Sequence, residues 1–159
     1  MKELQIRLSV SILSLDELTA EERELVLKAK EMTKSSYSPY SHFSVGAAIR
    51  LADGSIYAGS NQENAAFPVG LCAERSAFFY AQANAPEQAP VAIAIAAFTG
   101  GAFLAKPISP CGACRQALLE AETRYGQPIK VMLYGEEGIY VVDSFRDLLP
   151  LTFDGSEME

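Results

Sequence analysis

The chain opens on strict alternation. Leu4, Ile6, Leu8, Val10 and Ile12 are apolar, and Gln5, Arg7, Ser9 and Ser11 between them are polar. Period two is the pattern of a half-buried strand. A lone strand at the start of a chain must pair with something, so it is expected at a sheet edge or a subunit contact. From Thr19 the period changes. Thr19-Ala20-Glu21-Glu22 has the form of a capping box. Leu25, Val26, Ala29 and Met32 then recur at helical spacing, which predicts a helix over residues 20–34. Pro39, within Ser36–Ser41, disfavours helix in the residue before it and stops the run. Phe43–Leu51 and Ser55–Ser60 read as strands joined at the hairpin signal Asp53-Gly54.

Asn61-Gln62-Glu63-Asn64 is a polar loop with no evident packing role. A helix is expected from Cys72 to Asn84. Val91–Phe98 is almost continuously apolar, as a strand covered on both faces should be. Thr99–Pro107 carries Gly100 and Gly101 and reads as a small hairpin or flap. A second helix runs from Cys111 to Arg124, ended by Gly126 and Pro128. Strands at Ile129–Tyr134 and Ile139–Val142 follow, and Asp143-Ser144 can cap a short helix reaching Leu149. This order predicts an α/β layered domain around a mixed sheet.

Composition narrows the function. At 159 residues one domain is expected, long enough to bury a real core. The formal charge of −7 argues against a nucleic-acid partner, which needs clustered Lys and Arg. No apolar run reaches the roughly 18 residues of a membrane helix. The first residues lack the apolar core of a signal peptide, so a cytoplasmic protein is expected.

Three cysteines suit a disulfide framework poorly. Cys111-Gly112-Ala113-Cys114 alone reads as a redox, structural or metal motif. Cys72 adds a third ligand, and structural zinc usually takes four while catalytic zinc keeps a position for water. No fourth cysteine exists, and the only histidine is His42 beside the bulky Phe43. If both helices begin at their cysteines, helix dipoles favour the thiolates. Glu74, two residues past Cys72, can sit beside the metal and carry a proton between water and a substrate nitrogen. Arg75 and Arg115 are candidates to offset the thiolate charge, one or both donating to sulfur.

Cys72-Ala73-Glu74-Arg75 followed by Pro110-Cys111-Gly112-Ala113-Cys114-Arg115-Gln116 resembles the cytidine deaminases of nucleoside salvage, in the three-cysteine form of the zinc deaminase pattern. Tyr37–Ala48 and Asn61–Ala65 are similar to two further segments of that family. The resemblance spans Tyr37 to Phe153. It implies Zn²⁺ on Cys72, Cys111 and Cys114, with Glu74 as proton shuttle. It implies that Asn61 and Glu63 hold the ribose, that Phe43 packs on the base, and that the Ala73 N–H and the Ser109 carbonyl contact the base edge. The Leu148–Phe153 tail resembles the one whose Phe reaches a neighbouring subunit, so Phe153 would act in trans.

The implied fold is three-layer α/β/α with a mixed five-stranded sheet, here with an extra N-terminal strand. Residues 1–18 would be an extension to a single zinc domain at 19–159. The implied assembly is a homotetramer with shared active sites. The implied reaction is hydrolytic deamination of cytidine and 2′-deoxycytidine in pyrimidine salvage. A cytosine-nucleoside antibiotic of the blasticidin type is an alternative substrate, and a non-catalytic zinc module is the alternative of another class. Phe67 departs from the family's frequent Tyr, and Thr99–Pro107 is longer than the pattern.

Overall fold

The computed structural model describes residues 1–158. The strands are β1 (Ser11–Leu13), β2 (Ser44–Leu51), β3 (Ile56–Ser60), β4 (Pro90–Thr99), β5 (Ala102–Phe103), β6 (Lys130–Leu133) and β7 (Ile139–Val142). The helices are α1 (Ala20–Met32), α2 (Ala73–Asn84) and α3 (Gly112–Tyr125), with 3-10 turns at Thr33–Ser35, Phe67–Val69, Phe145–Leu148 and Gly155–Met158. The sheet order is β1-β7-β6-β4-β2-β3, with β5 folded back on β4. Among the strands of the described residues only β4 and β6 pair in parallel, joined through α3. The expected five-stranded mixed sheet is the β7-β6-β4-β2-β3 span, and the N-terminal strand adds to its edge.

Local signals act as the sequence implies. Thr19 Oγ1 accepts from the Glu22 N–H and Glu22 Oε2 accepts from the Thr19 N–H, which closes the capping box. Gly100 and Gly101 both adopt positive φ and close the β4–β5 hairpin. Gly126, left-handed at φ 60°, caps α3.

The β1 expectation needs correction in its length. The alternation over residues 4–12 gives a strand only at Ser11–Leu13. Its partner β7 is four residues long and ends at Val142, opposite Val10 in the same register, so β7 offers the earlier residues nothing to pair with.

The two faces of the sheet are built from different side chains. Val45, Ala47, Ile49, Leu51, Ile93 and Ile95 pack under α2 and α3 with Ala77, Phe78, Leu118 and Leu119. The opposite face presents Ala48, Ala94 and Ala96 to Leu25, Val26 and Ala29 of α1. This small-residue floor lets α1 approach closely. A Cβ on Gly46 would lie 2.1 Å from the Ala29 carbonyl oxygen and 2.7 Å from the Thr33 nitrogen. Backbone cannot yield like a flexible side chain, so Gly46→Ala should lower stability by about 3 kcal/mol or more. An unfolding free energy, measured by urea titration, that falls by less than about 1 kcal/mol would mean that α1 shifts freely.

One buried carboxylate ties the layers together. Glu122 on α3 accepts from the Ile129 N–H at 2.8 Å, the Phe145 N–H at 2.8 Å and the Ser144 hydroxyl at 2.7 Å. Three donors compensate the burial of this charge. They fix α3, and so the helix that presents two cysteines, against the start of β6 and the turn after β7.

Candidate zinc and nucleoside site

Both cysteine-bearing helices start where the sequence suggests. Cys72 is the N-cap of α2 and Cys111 the N-cap of α3, each in extended backbone conformation. Cys114 sits in the first turn of α3 and is fully buried. Cys72 and Cys111 sulfurs are 3.7 Å apart, Cys111 and Cys114 sulfurs 3.5 Å, and all three lie within 4.8 Å of one another. Tetrahedral zinc with bonds of about 2.3 Å places its sulfurs about 3.8 Å apart, so the cluster fits the ion. His42 is not in this group. Among the described residues the cluster offers three ligand atoms, the number that leaves a coordination position open.

Charge is arranged to support the sulfurs. The Cys72 thiol is held down to about 5, chiefly because the Cys114 thiol donates to it, with help from Arg75. Cys114 is correspondingly pushed up by acting as donor and by burial. Metal entry therefore displaces protons. Arg75 Nη2 lies 3.7 Å from the Cys72 sulfur. Arg75→Ala should weaken zinc affinity or activity by about 10–100-fold, with Arg75→Lys recovering part of it. Competition with a chromophoric chelator and a steady-state assay would check this; an effect under twofold in both would remove Arg75 from the site.

Arg115 is placed differently from expectation. Its guanidinium does not donate to sulfur. It donates to the carbonyls of Pro110 at 2.8 Å and Leu148 at 2.7 Å and to the Ser109 hydroxyl at 2.8 Å. The physical reason is competition: the loop just before Cys111 and the end of the 145–148 turn offer carbonyl oxygens, better acceptors than a thiol. Arg115 thus braces the backbone that carries the Cys111 ligand.

Glu74 occupies the first turn of α2 and is 4% exposed. Burial pushes its carboxyl up, against which the Arg75 charge acts only weakly. A carboxyl raised in this way can hold a proton between transfers. Ala73 is the first residue of α2, so its N–H has no partner within the helix and is available to an acceptor.

The polar loop is stitched to the metal motif through backbone. Gln62 and Leu71 exchange N–H···O bonds of 2.9 Å, one residue before Cys72. On its other side, Tyr37 donates to the Asn61 carbonyl and accepts from the Glu63 N–H. Asn61 Oδ1 accepts from the Ser36 hydroxyl at 2.5 Å and the Val45 N–H at 2.8 Å, and its Nδ2 donates to the Phe43 carbonyl at 2.8 Å. Glu63 accepts from the Tyr40 and Ser41 N–H groups and from the Ser41 hydroxyl, and that hydroxyl most of all lowers its carboxyl. Glu63 lines an open cleft of about 430 Å³ with Tyr40, Ser41, Asn64, Phe67 and Gly70.

Sequence reading missed Tyr40 and Ser41 as cleft residues, though their place beside Pro39 marked a turn. Phe43 lies one residue before β2, so that strand starts later than expected; its half-buried ring packs against the core shared by α2 and α3. The Ser109 hydroxyl is taken by Arg115. Phe153 is 59% exposed, with its carbonyl accepting from Gln116 at 2.9 Å.

An α/β sheet presenting three converging thiols and a buried carboxylate at two helix starts defines a single-metal zinc hydrolase of the deaminase type. The profile of the family described as "Cytidine and deoxycytidylate deaminase zinc-binding region" matches residues 19–126, and the chain belongs to that family. It is 38% identical over 141 residues to a cytidine deaminase of Halalkalibacterium halodurans, covering 86% of this chain and 98% of that one. A cytidine deaminase of Sporosarcina psychrophila is 44% identical over 97 residues, 61% of this chain and 67% of that one. The fold matches the crystal structure of cytidine deaminase from Burkholderia pseudomallei with a TM-score of 0.71 and 40% identity, over 86% of this chain and 100% of that one.

Proposed function

We propose that this protein hydrolyses the exocyclic amine of cytidine and 2′-deoxycytidine, giving uridine or 2′-deoxyuridine and ammonia. The observation that carries this reading is the buried Glu74 beside the three-thiol cluster, in a chain with cytidine deaminase relatives. Cys72, Cys111 and Cys114 would hold Zn²⁺, which would supply a Lewis acid able to lower the pKa of water toward neutral. Glu74 takes a proton from water through a carboxylate oxygen and delivers it to ring nitrogen N3. As the water oxygen bonds to C4, Glu74 carries the second proton of that water to the amine and the C4–N bond breaks, so one water is consumed and one ammonia released.

The other residues orient the nucleoside. The Ala73 N–H donates to the base carbonyl oxygen, and the Ser109 carbonyl accepts from the amino group. Asn61 and Glu63 hold the sugar 3′-hydroxyl, each keeping acceptor or donor capacity beyond its internal bonds. Phe43 packs beside the base. Phe153 completes the site of a neighbouring copy in a homotetramer, consistent with its exposure. Residues 19–159 act as one domain, with residues 1–18 as an extension. Three free thiols suit a reducing cytoplasm. No helix among the described residues is long and apolar enough to cross a membrane.

A substrate panel tests the reading. Zinc-loaded protein should turn over cytidine and 2′-deoxycytidine at comparable rates. Deoxycytidine monophosphate, single-stranded DNA and a blasticidin-type nucleoside should react at under about one-hundredth of that rate, since each misfits a site built for a bare sugar. Preferential turnover of any of those three would move the substrate assignment to it.

A further inference from the structure

Residues 4–10 precede β1, carry its apolar–polar alternation and are paired with nothing among the described residues. Leu4, Ile6, Leu8 and Val10 are 40% to 75% exposed. No backbone hydrogen bond of residues 4–9 is found among the described residues. Ile6, Leu8 and Val10 instead line a mainly apolar groove of about 460 Å³ with Leu133, Tyr140 and Val142, whose far side carries Ser109, Arg115 and Asp147. β1 is also the last strand of the sheet, so its outer edge is open. An alternating apolar edge of this kind is a template for another strand.

We propose that this segment pairs antiparallel with the same segment of a second copy of the chain, across a two-fold axis at Gln5. The charges choose both the occupant and the register. Lys2, Glu3 and Arg7 are the only charged side chains in the first twelve residues. Antiparallel self-pairing with Gln5 opposite Gln5 puts Glu3 opposite Arg7 twice, on the polar face. It puts Leu4 opposite Ile6 twice, on the apolar face. Sliding one copy by two residues leaves Gln5 facing Arg7 and loses both ion pairs. Sliding it by four sets Arg7 against Arg7. Opposite charges across a strand pair stabilise it and like charges oppose it, so the Gln5-centred register is selected. Pairing gives the idle backbone groups partners and extends the apolar groove with Leu4 and Ile6 of the second copy.

The test uses the full-length, zinc-loaded chain and does not depend on activity. Opposed residues in an antiparallel pair fall within disulfide reach. Gln5→Cys should therefore give a reducible cross-linked dimer under mild oxidation. Ser9→Cys should give no more than the wild-type background, because its counterpart would be residue 1. On the Gln5→Cys background, Glu3→Arg or Arg7→Glu alone should lower the cross-linked fraction by about fivefold, since two pairs turn repulsive. Both changes together should restore it. Equal cross-linking at positions 5 and 9, none at position 5, or no rescue in the double reversal would overturn the proposal.

Discussion

Glu74→Gln should leave a folded, zinc-loaded protein that deaminates cytidine about a thousandfold more slowly than wild type. Glutamine has nearly the same shape and still forms hydrogen bonds, but it cannot carry a proton. The position is 4% exposed, so the native side chain is a carboxylic group pressed into a dry site where burial raises its proton affinity. Removing the ionisable oxygen should therefore cost kcat and leave thermal stability unchanged or slightly raised. Loss of activity acts on the transition state, so kcat and kcat/KM should fall together. Activity within tenfold of wild type would mean that another group moves the proton.

Cys114→Ala should lose both the metal and the activity. Cys114 is fully buried in the first turn of α3, and its sulfur lies 3.5 Å from that of Cys111. Without it two ligands remain, too few for the three that zinc catalysis uses. The wild type should melt at a clearly higher temperature with zinc than with a strong chelator. At a thousandfold excess over Kd the ion contributes about 4 kcal/mol by mass action. The variant should melt at one temperature in both conditions. Zinc content by chelator release and a melting curve check this; a variant that still binds one zinc tightly would remove Cys114 from the ligand set.

Most of the site was legible because its signals are local. Cys72 and Cys111 sit at helix starts that the surrounding residues mark, and Cys114 follows by helical spacing. The Thr19 capping box and the Asp53-Gly54 turn are also complete within a few residues. What escaped depends on partners far along the chain. Arg115 reads as a cation next to a cysteine, and only folding brings it the Leu148 carbonyl. Glu122 looks like a solvated helix charge until Ile129, Ser144 and Phe145 close over it. The alternation over residues 4–12 is a strand pattern, but its length as a strand is set by β7, which ends at Val142. Gly46 gave no sign of its role, since the Ala29 carbonyl that demands a missing Cβ lies in another layer.

Hydrolytic deamination by this chain requires Glu74 and the three thiols to act together. The most direct measurement is to incubate zinc-loaded wild type with cytidine and quantify uridine and ammonia. The two should appear in equal amounts, at a rate abolished by chelator and restored by added zinc. Intact cytidine in the presence of fully loaded, folded protein would contradict it.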